Sequence, residues 1–219
     1  MNAAVLNNVD VSYLDKDLLD SEKHLIAKPA SFYSSIPQEH LSLWCHHKGV
    51  YCLPTEELIE WLKPHLIPFK TIEVGSGIGT IGRTLKIPTT DSCYMRNKPE
   101  VALYYTMTGQ PITHYPDDIL EMDAITAINH FKPEVVIGSW ITHIYSEKNA
   151  FLGGNQFGID EEYMLKRIKK YIMIGNESVH KNKPLLQIDH KEYKFPWLFS
   201  RSLSTTMNII YVWEKSNEN

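Results

Sequence analysis

The chain is predicted to be an α/β protein built on an open, mostly parallel sheet, and three observations lead there. Apolar runs of strand length alternate with helix-patterned segments from residue 54 onward. One such run, Thr71-Ile72-Glu73-Val74, leads straight into a glycine turn and then a helix. Glu73, Asp91, Asp123, Ser139 and Asn176 all fall at predicted strand ends. In an open sheet those ends share one rim, which is where ligands bind.

Composition sets the bounds. The 219 residues suit about one domain with an N-terminal extension, divided as 1–53 and 54–219. With 43% apolar and 11% aromatic residues, the chain has ample material for a packed core. A formal charge of −4 gives no global field favouring nucleic acid, so a nucleic-acid partner is not expected. Cys45, Cys52 and Cys93 are too few, and odd in number, for a disulfide framework. Met1-Asn2-Ala3-Ala4-Val5 lacks a basic region followed by a long apolar run, and no stretch has the length of a membrane span. The expected location is cytoplasmic.

Taken in order, residues 1–53 are expected to form a helical cap or lid. Asp10 to Ile26 has a helical rhythm at Leu14, Leu18 and Leu19, Gln38 to Trp44 reads as a short helix, and Pro29 and Pro37 interrupt the run. Cys45-His46-His47 with Cys52 invites a zinc reading, but no second pair with metal-type spacing follows. The preferred reading has no metal: a polar, aromatic-rich segment at the pocket entrance through His46, His47 and Tyr51. Thr55 caps a helix with Glu56 and Glu57 in its first turn and Leu58, Leu62 and Leu66 on one face, which Pro64 kinks or shortens.

Glu73-x-Gly75-x-Gly77-x-Gly79 follows, with a helix from Thr80 to about Leu85. Glycines at alternate positions let the backbone bend sharply and approach a ligand closely. Gly77-x-Gly79-x-x-Gly82 also satisfies the dinucleotide pattern, in which a pyrophosphate rests on the helix N-terminus. Glu73 decides between the two, because a carboxylate at the turn repels a pyrophosphate and suits a ligand carrying an ammonium and a sulfonium. The turn and its acid resemble the first motif of the class I S-adenosylmethionine (SAM) methyltransferases. The alternative is a tight strand-to-helix turn in an unrelated α/β protein.

That resemblance covers roughly residues 54–214 and implies a Rossmann-like three-layer sandwich. Its mostly parallel seven-stranded sheet would be closed by an antiparallel C-terminal strand, with the N-terminal helical cap in front. It implies SAM as cofactor, held by Glu73, Gly75, Ser76, Gly77 and Gly79. Asp91 would meet the ribose hydroxyls, although it serves equally to start a turn with Ser92. Met122, Asp123 and Ala124 would meet the adenine, while Asp123 can also cap the helix from Ala124 to about Phe131. Residues 92–117, rich in tyrosine, read as a surface excursion with some pocket contacts.

Pro133 to Trp140 is a continuous apolar strand suited to burial on both faces. Ser139 and Trp140 at its end occupy the position of the family's transfer site, where the resemblance implies that they also contact SAM. The prolines of the DNA amino-methyltransferase motif are missing there, which argues against base amino groups as acceptors. Gly153 to Gly158 is a loop, and a helix from Asp160 to about Lys170 precedes a fifth strand, Tyr171 to Asn176. Two closing strands are expected around Trp197–Ser200 and Met207–Trp213.

Methyl transfer to oxygen or nitrogen needs alignment and, for most acceptors, a base. His143 or His180 is the expected base, with Tyr145, Trp140 and Asn176 shaping the acceptor pocket. The acceptor would be a small molecule or a protein side chain, and the oligomeric state is left open. Two other functions stay in view: a non-catalytic SAM sensor, and a nicotinamide-dependent oxidoreductase using Gly77, Gly79 and Gly82.

Overall fold

A computed structural model describes residues 9–215; residues 1–8 of the expected cap, including the start of the chain, lie outside the described residues. The strands are β1 (Cys52–Leu53), β2 (Thr71–Val74), β3 (Thr90–Asp91), β4 (Leu120–Glu121), β5 (Val135–Ser139), β6 (Lys170–Asn176), β7 (Lys191–Tyr193), β8 (Phe199–Ser200) and β9 (Asn208–Glu214). The helices used below are α1 (Asp15–Leu18), α2 (Ala30–Ser34), α3 (Gln38–Lys48), α4 (Glu56–Leu62), α5 (Thr80–Leu85), α6 (Tyr94–Asn97), α7 (Pro99–Met107), α8 (Ala124–Phe131), α9 (Glu161–Arg167) and α10 (Glu177–His180).

The central sheet is mostly parallel and runs β2-β5-β6-β9-β7. β2, β5 and β6 are mutually parallel, and β9 is antiparallel to both β6 and β7. The expected seven-stranded sheet is therefore a continuous ladder of five strands plus a separate parallel pair, β3 and β4. A single bridge, Glu73 with Thr89, joins that pair to the β2 edge. The local chemistry explains the gap. Pro88 accepts from Glu73 N–H at 2.9 Å but has no N–H to return, and the Thr90 hydroxyl takes the Glu73 carbonyl at 3.0 Å. Followed through the bridge, the order is β4-β3-β2-β5-β6-β9-β7.

The C-terminal strand is antiparallel but lies inside the sheet, not at its edge. Its expected partner around Trp197–Ser200 is also different: only Phe199–Ser200 is strand, and it pairs with Cys52–Leu53. Lys191–Tyr193 takes the place beside β9.

Alternation along the strands builds the layers. Ile72, Val74, Val136, Tyr171, Met173, Ile209 and Trp213 pack with Ala127 and Ile128 of α8 and Met164 of α9. Their neighbours Val135, Ile137, Ile172, Ile174, Ile210 and Val212 pack with Leu58, Ile59 and Leu62 of α4 and Ile81 of α5. Both sheet faces are thus covered, each fully buried aliphatic side chain contributing roughly 1.5–3 kcal/mol. A third cluster joins Val11, Leu14, Leu18, Tyr33, Leu41 and Trp44 to Leu53 and to Phe199 of β8. The N-terminal segment is fastened to the sheet domain there. Among the described residues no helix is long and apolar enough to cross a membrane.

Several helices start where their caps dictate. Thr55 Oγ1 accepts from Leu58 N–H at 3.0 Å, Asp123 from Ile125 and Thr126 N–H, and Asp160 from Tyr163 N–H at 2.9 Å. Pro64 ends α4 as expected, at Leu62, and a single 3-10 turn follows. The helix after Asp160 stops at Arg167, short of Lys170, because Lys170 already pairs in β6.

Candidate functional site

The turn after β2 takes its shape from its glycines. Gly75, Gly77 and Gly79 all have positive φ, at 56°, 57° and 72°. A Cβ at Gly75 would stand 2.6 Å from Ile141 Cδ1, and one at Gly79 would stand 2.2 Å from Ile119 Cδ1. The turn's amides are largely taken up by the protein. Ser76 N–H donates to Thr90 O at 3.1 Å, and Gly77 N–H donates to Asp91 Oδ2 at 2.9 Å. The other Asp91 oxygen accepts from Cys93 N–H at 2.9 Å. Asp91 thereby ties the end of β3 across the turn, and burial holds its pKa above the ordinary value against those two amides.

Glu73 is only 1% exposed and accepts from Gly82 N–H at 2.8 Å. Burial pushes its pKa up to about 8, with Asp91 adding to the rise and the Gly82 amide opposing it. Gly82, inside α5, has no room for a side chain: a Cβ would lie 2.1 Å from Thr89 Oγ1 and 2.7 Å from Glu73 Oε2. Glu73 is therefore a clamp between β2 and α5 as well as part of the cavity wall.

Beyond the turn opens a cavity of about 700 Å³. Of the residues singled out from sequence, Glu73, Gly75, Ser76, Gly77, Asp91, Asp123, Ala124, Ser139, Trp140 and His180 line it. Gly79, Met122, His143, Tyr145 and Asn176 do not. Gly79 begins α5 behind the turn, and Met122 packs against the core on the α8 side. Asn176 is 1% exposed; it caps α10 through Val179 N–H and donates to Asn208. Tyr145 is exposed, in the segment that pairs with Asn155. Asp123 Oδ1 serves the α8 cap, and its Oδ2 accepts from the Thr126 hydroxyl at 2.6 Å.

The two histidines part company. His143 pairs with Ile159, and Gly154 and Gly158 press on it so closely that a Cβ on either would fall within 2.7 Å of its carbonyl oxygen. His180 lies at the cavity with its ring edge-on to Trp140 at 5.6 Å, and its Nδ1 is 2.9 Å from both N and O of Asn176. Burial, reinforced by Lys183, lowers its pKa to about 4, so it is neutral at pH 7. Neither histidine has the setting of a strong base.

Much of the rest of the wall is aromatic and polar. Trp140, at φ 56°, turns its indole toward Tyr51, 5.9 Å away. Tyr105 and Asn155, 3.4 Å apart, join α7 to the 153–158 loop, and Tyr104 meets Phe157 edge-on at 6.0 Å. Arg201, just after β8, also lines the cavity. Of the segment expected at the entrance, Tyr51 is in this wall, His46 lines a smaller neighbouring pocket, and His47 lines neither. The tyrosine-rich composition of 92–117 is legible in the sequence, whereas Arg201 has no signal of its own there. Among the described residues no three metal-ligating side chains come together.

No protein-family model and no curated protein matches the chain. Among solved structures, it is similar to the hMettl16 catalytic domain in complex with MAT2A 3′UTR hairpin 1, at 12% identity and TM-score 0.38 over 96% of this chain and 93% of that one. The same domain with hairpin 6 gives 12% identity and TM-score 0.34, covering 96% and 94%. A Spodoptera frugiperda DNMT2 variant gives 14% identity and TM-score 0.28, covering 68% and 50%. At TM-scores this low none of these likenesses identifies a function. The expectation against a nucleic-acid partner finds no support among them.

Proposed function

We propose that the chain is a SAM-dependent methyltransferase that binds SAM at the Gly75–Gly79 turn and holds an acceptor in the adjoining part of the cavity. The observation that carries this reading is the acid-bounded turn. A pyrophosphate needs free amides and no facing carboxylate. Here Gly77 N–H is already bound to Asp91, and Glu73 stands behind the turn. With Gly77 N–H taken and the Asp91 carboxyl group at the turn, that environment suits a hydroxyl-bearing ligand better than a dinucleotide. The cavity, at about 700 Å³, falls within the usual range of roughly 300–1,000 Å³ for small-molecule and cofactor sites. The strand order followed through the Glu73–Thr89 bridge supports the same reading.

SAM supplies an electrophilic methyl group on its sulfonium. The chain's own residues bind and orient. Asp91, fixed by two amides, keeps lone pairs for the ribose hydroxyls, and Asp123 and Ala124 border the adenine end. Trp140 and Tyr51 form an aromatic wall that excludes water beside the acceptor. His180, neutral and anchored by Asn176, orients the acceptor and draws off a proton only weakly. The acceptor atom is thus one that already has a free lone pair or that loses its proton readily to water. The N-terminal segment serves as a cap, since Gly49–Cys52 complete the cavity wall.

The test is calorimetric titration with SAM, S-adenosylhomocysteine and NAD, using wild type, Asp91→Asn and Asp91→Ala. Binding of the two sulfur ligands, weakened about tenfold by Asp91→Ala and not shared by NAD, is expected. Release of S-adenosylhomocysteine during an acceptor screen separates an enzyme from a sensor. Binding of NAD alone, or of nothing, overturns the reading.

A further inference from the structure

The rim of the sheet changes electrostatic character along its length. Asp123 follows β4, Asp91 ends β3 and Glu73 lies in β2, so the acids gather at one side. Trp140 after β5 and His180 after β6 continue the rim, and Arg201 joins them from the segment after β8. Arg201 is the cation of that second half, and its surroundings are unusual. Arg83 and Arg96 each pair with a carboxylate. Among the described residues no carboxylate lies within ion-pair distance of Arg201. Its Nη2 donates to the neutral Gln110 Oε1 at 3.0 Å, and its Nη1 is buried without a partner. Its guanidinium lies over the Tyr51 ring at 4.8 Å and beside the Trp140 ring at 5.9 Å. Two buried donors on the same wall, Trp140 Nε1 and the Ser139 hydroxyl, also lack partners. An unpaired buried donor is costly, and more so when it is charged.

Arg201 and Trp140 line a second pocket of about 260 Å³ as well as the main cavity. Ser42, His46, Ser202 and Val179 complete that pocket, and none of its residues is acidic. It thus collects a guanidinium, an imidazole and two hydroxyls next to an aromatic wall. Planar guanidinium groups stacked on aromatic rings bind carboxylate and phosphate oxygens through paired N–H donors.

We propose that this pocket holds the anionic group, a carboxylate or phosphate, of a small acceptor whose unsaturated ring lies along Trp140 and Tyr51. The inference rests on the methyltransferase reading for the fate of the ligand, but not for its binding. The oxyanion sits between Arg201 and His46. The ring follows the aromatic wall into the main cavity, toward the end bordered by Ser139 and His180. The anion gives the acceptor its orientation, and the Asp123 carboxylate on the far side of the rim disfavours the reverse placement.

Benzoate, inorganic phosphate and the neutral isostere benzamide are titrated by calorimetry into wild type, Arg201→Gln and Arg201→Met, with and without saturating SAM. Thermal unfolding verifies that each variant is folded, and His46→Gln serves as the second site variant. Benzoate and phosphate are expected to bind the wild type, about tenfold or more weakly after either Arg201 substitution, and severalfold more weakly in His46→Gln. Benzamide is expected to lose little, and SAM affinity to stay the same. Equal benzoate affinity in wild type and folded Arg201 variants overturns the proposal, as does binding of neither anion to the wild type. Displacement of benzoate by SAM overturns the placement. If SAM fails to bind while benzoate still depends on Arg201, the methyltransferase reading falls and the anion pocket stands.

Discussion

Burial governs the individual charged residues of this protein. Glu73 illustrates the sign. Its native pKa of about 8 lies above the ordinary 4.5, so between those values the folded state binds a proton that the unfolded state has lost. Stability from this group is complete below about pH 4.5 and is lost as pH rises through about 8. Glu73→Gln, which keeps shape and a carbonyl acceptor for Gly82, is expected to remove that slope, which amounts to a few kcal/mol at most. Urea unfolding at a series of pH values checks it; a variant as pH-dependent as wild type would place the titration elsewhere. Lys183 gives a second case. Its ammonium, 2% exposed, pairs with Glu161 and donates to Ile141 O at 2.8 Å, while Tyr171 donates to the other Glu161 oxygen at 2.8 Å. Lys183→Met strands a buried carboxylate and is expected to cost about 3–5 kcal/mol, whereas adding Glu161→Gln should recover much of it. Chemical denaturation of the single and double variants measures that recovery. The wall after β5 depends on the same ammonium through Ile141.

At the level of elements, what the sequence revealed depended on whether the signal was local. α4, α8 and α9 each announce themselves by a capping side chain, and Val135–Ser139 by unbroken apolarity. β7 does not: Lys191-Glu192-Tyr193 is a polar edge strand whose pairing with β9 is decided by tertiary contact. β8 is likewise claimed by β1, which no local pattern specifies. The site divides in the same way. The glycine turn and its strand-end acids are legible because they follow directly from chain order, while Arg201 and Asn155 reach the cavity from segments outside the strand–helix alternation. His143 follows β5 closely in sequence, but the left-handed Trp140 and the close packing of Gly154 turn that segment aside. Two element-scale outcomes follow from the packing. Gly82→Ala should cost about 1–3 kcal/mol, because α5 must move off β2 and Thr89 to admit a methyl group. Thr55→Ala should cost about 1–2 kcal/mol, since Thr55 both caps α4 and donates to Trp197 O at 3.0 Å. Denaturant midpoints read both, and a neutral Gly82→Ala would show that α5 is more loosely seated than this packing requires.

Across the whole molecule, the N-terminal segment and the sheet domain are coupled by contacts remote in sequence. β1 pairs with β8, Gln38 Nε2 donates to Ser200 O at 2.9 Å and Ser202 O at 2.6 Å, and Tyr33 packs against Phe199 at 5.4 Å. The same segment supplies Tyr51 to the cavity, so the stability of the N-terminal segment and the cavity wall are physically linked. Trp44 lies at the centre of the cap, fully buried, with its Nε1 donating to Asp15 Oδ1 at 2.8 Å and Asp15 in turn holding Lys48. Trp44→Ala removes that anchor and leaves a large void, at an expected cost of about 3–5 kcal/mol. Because the cap is tied to β8 and thence to the chain entering β9, the loss should appear as a lower midpoint of one cooperative transition, followed equally by far-ultraviolet dichroism and by fluorescence of the remaining tryptophans. Two separated transitions would mean that the cap unfolds as its own unit. The Arg201 pocket, built from α3 on one side and the segment after β8 on the other, would then open without loss of the glycine turn.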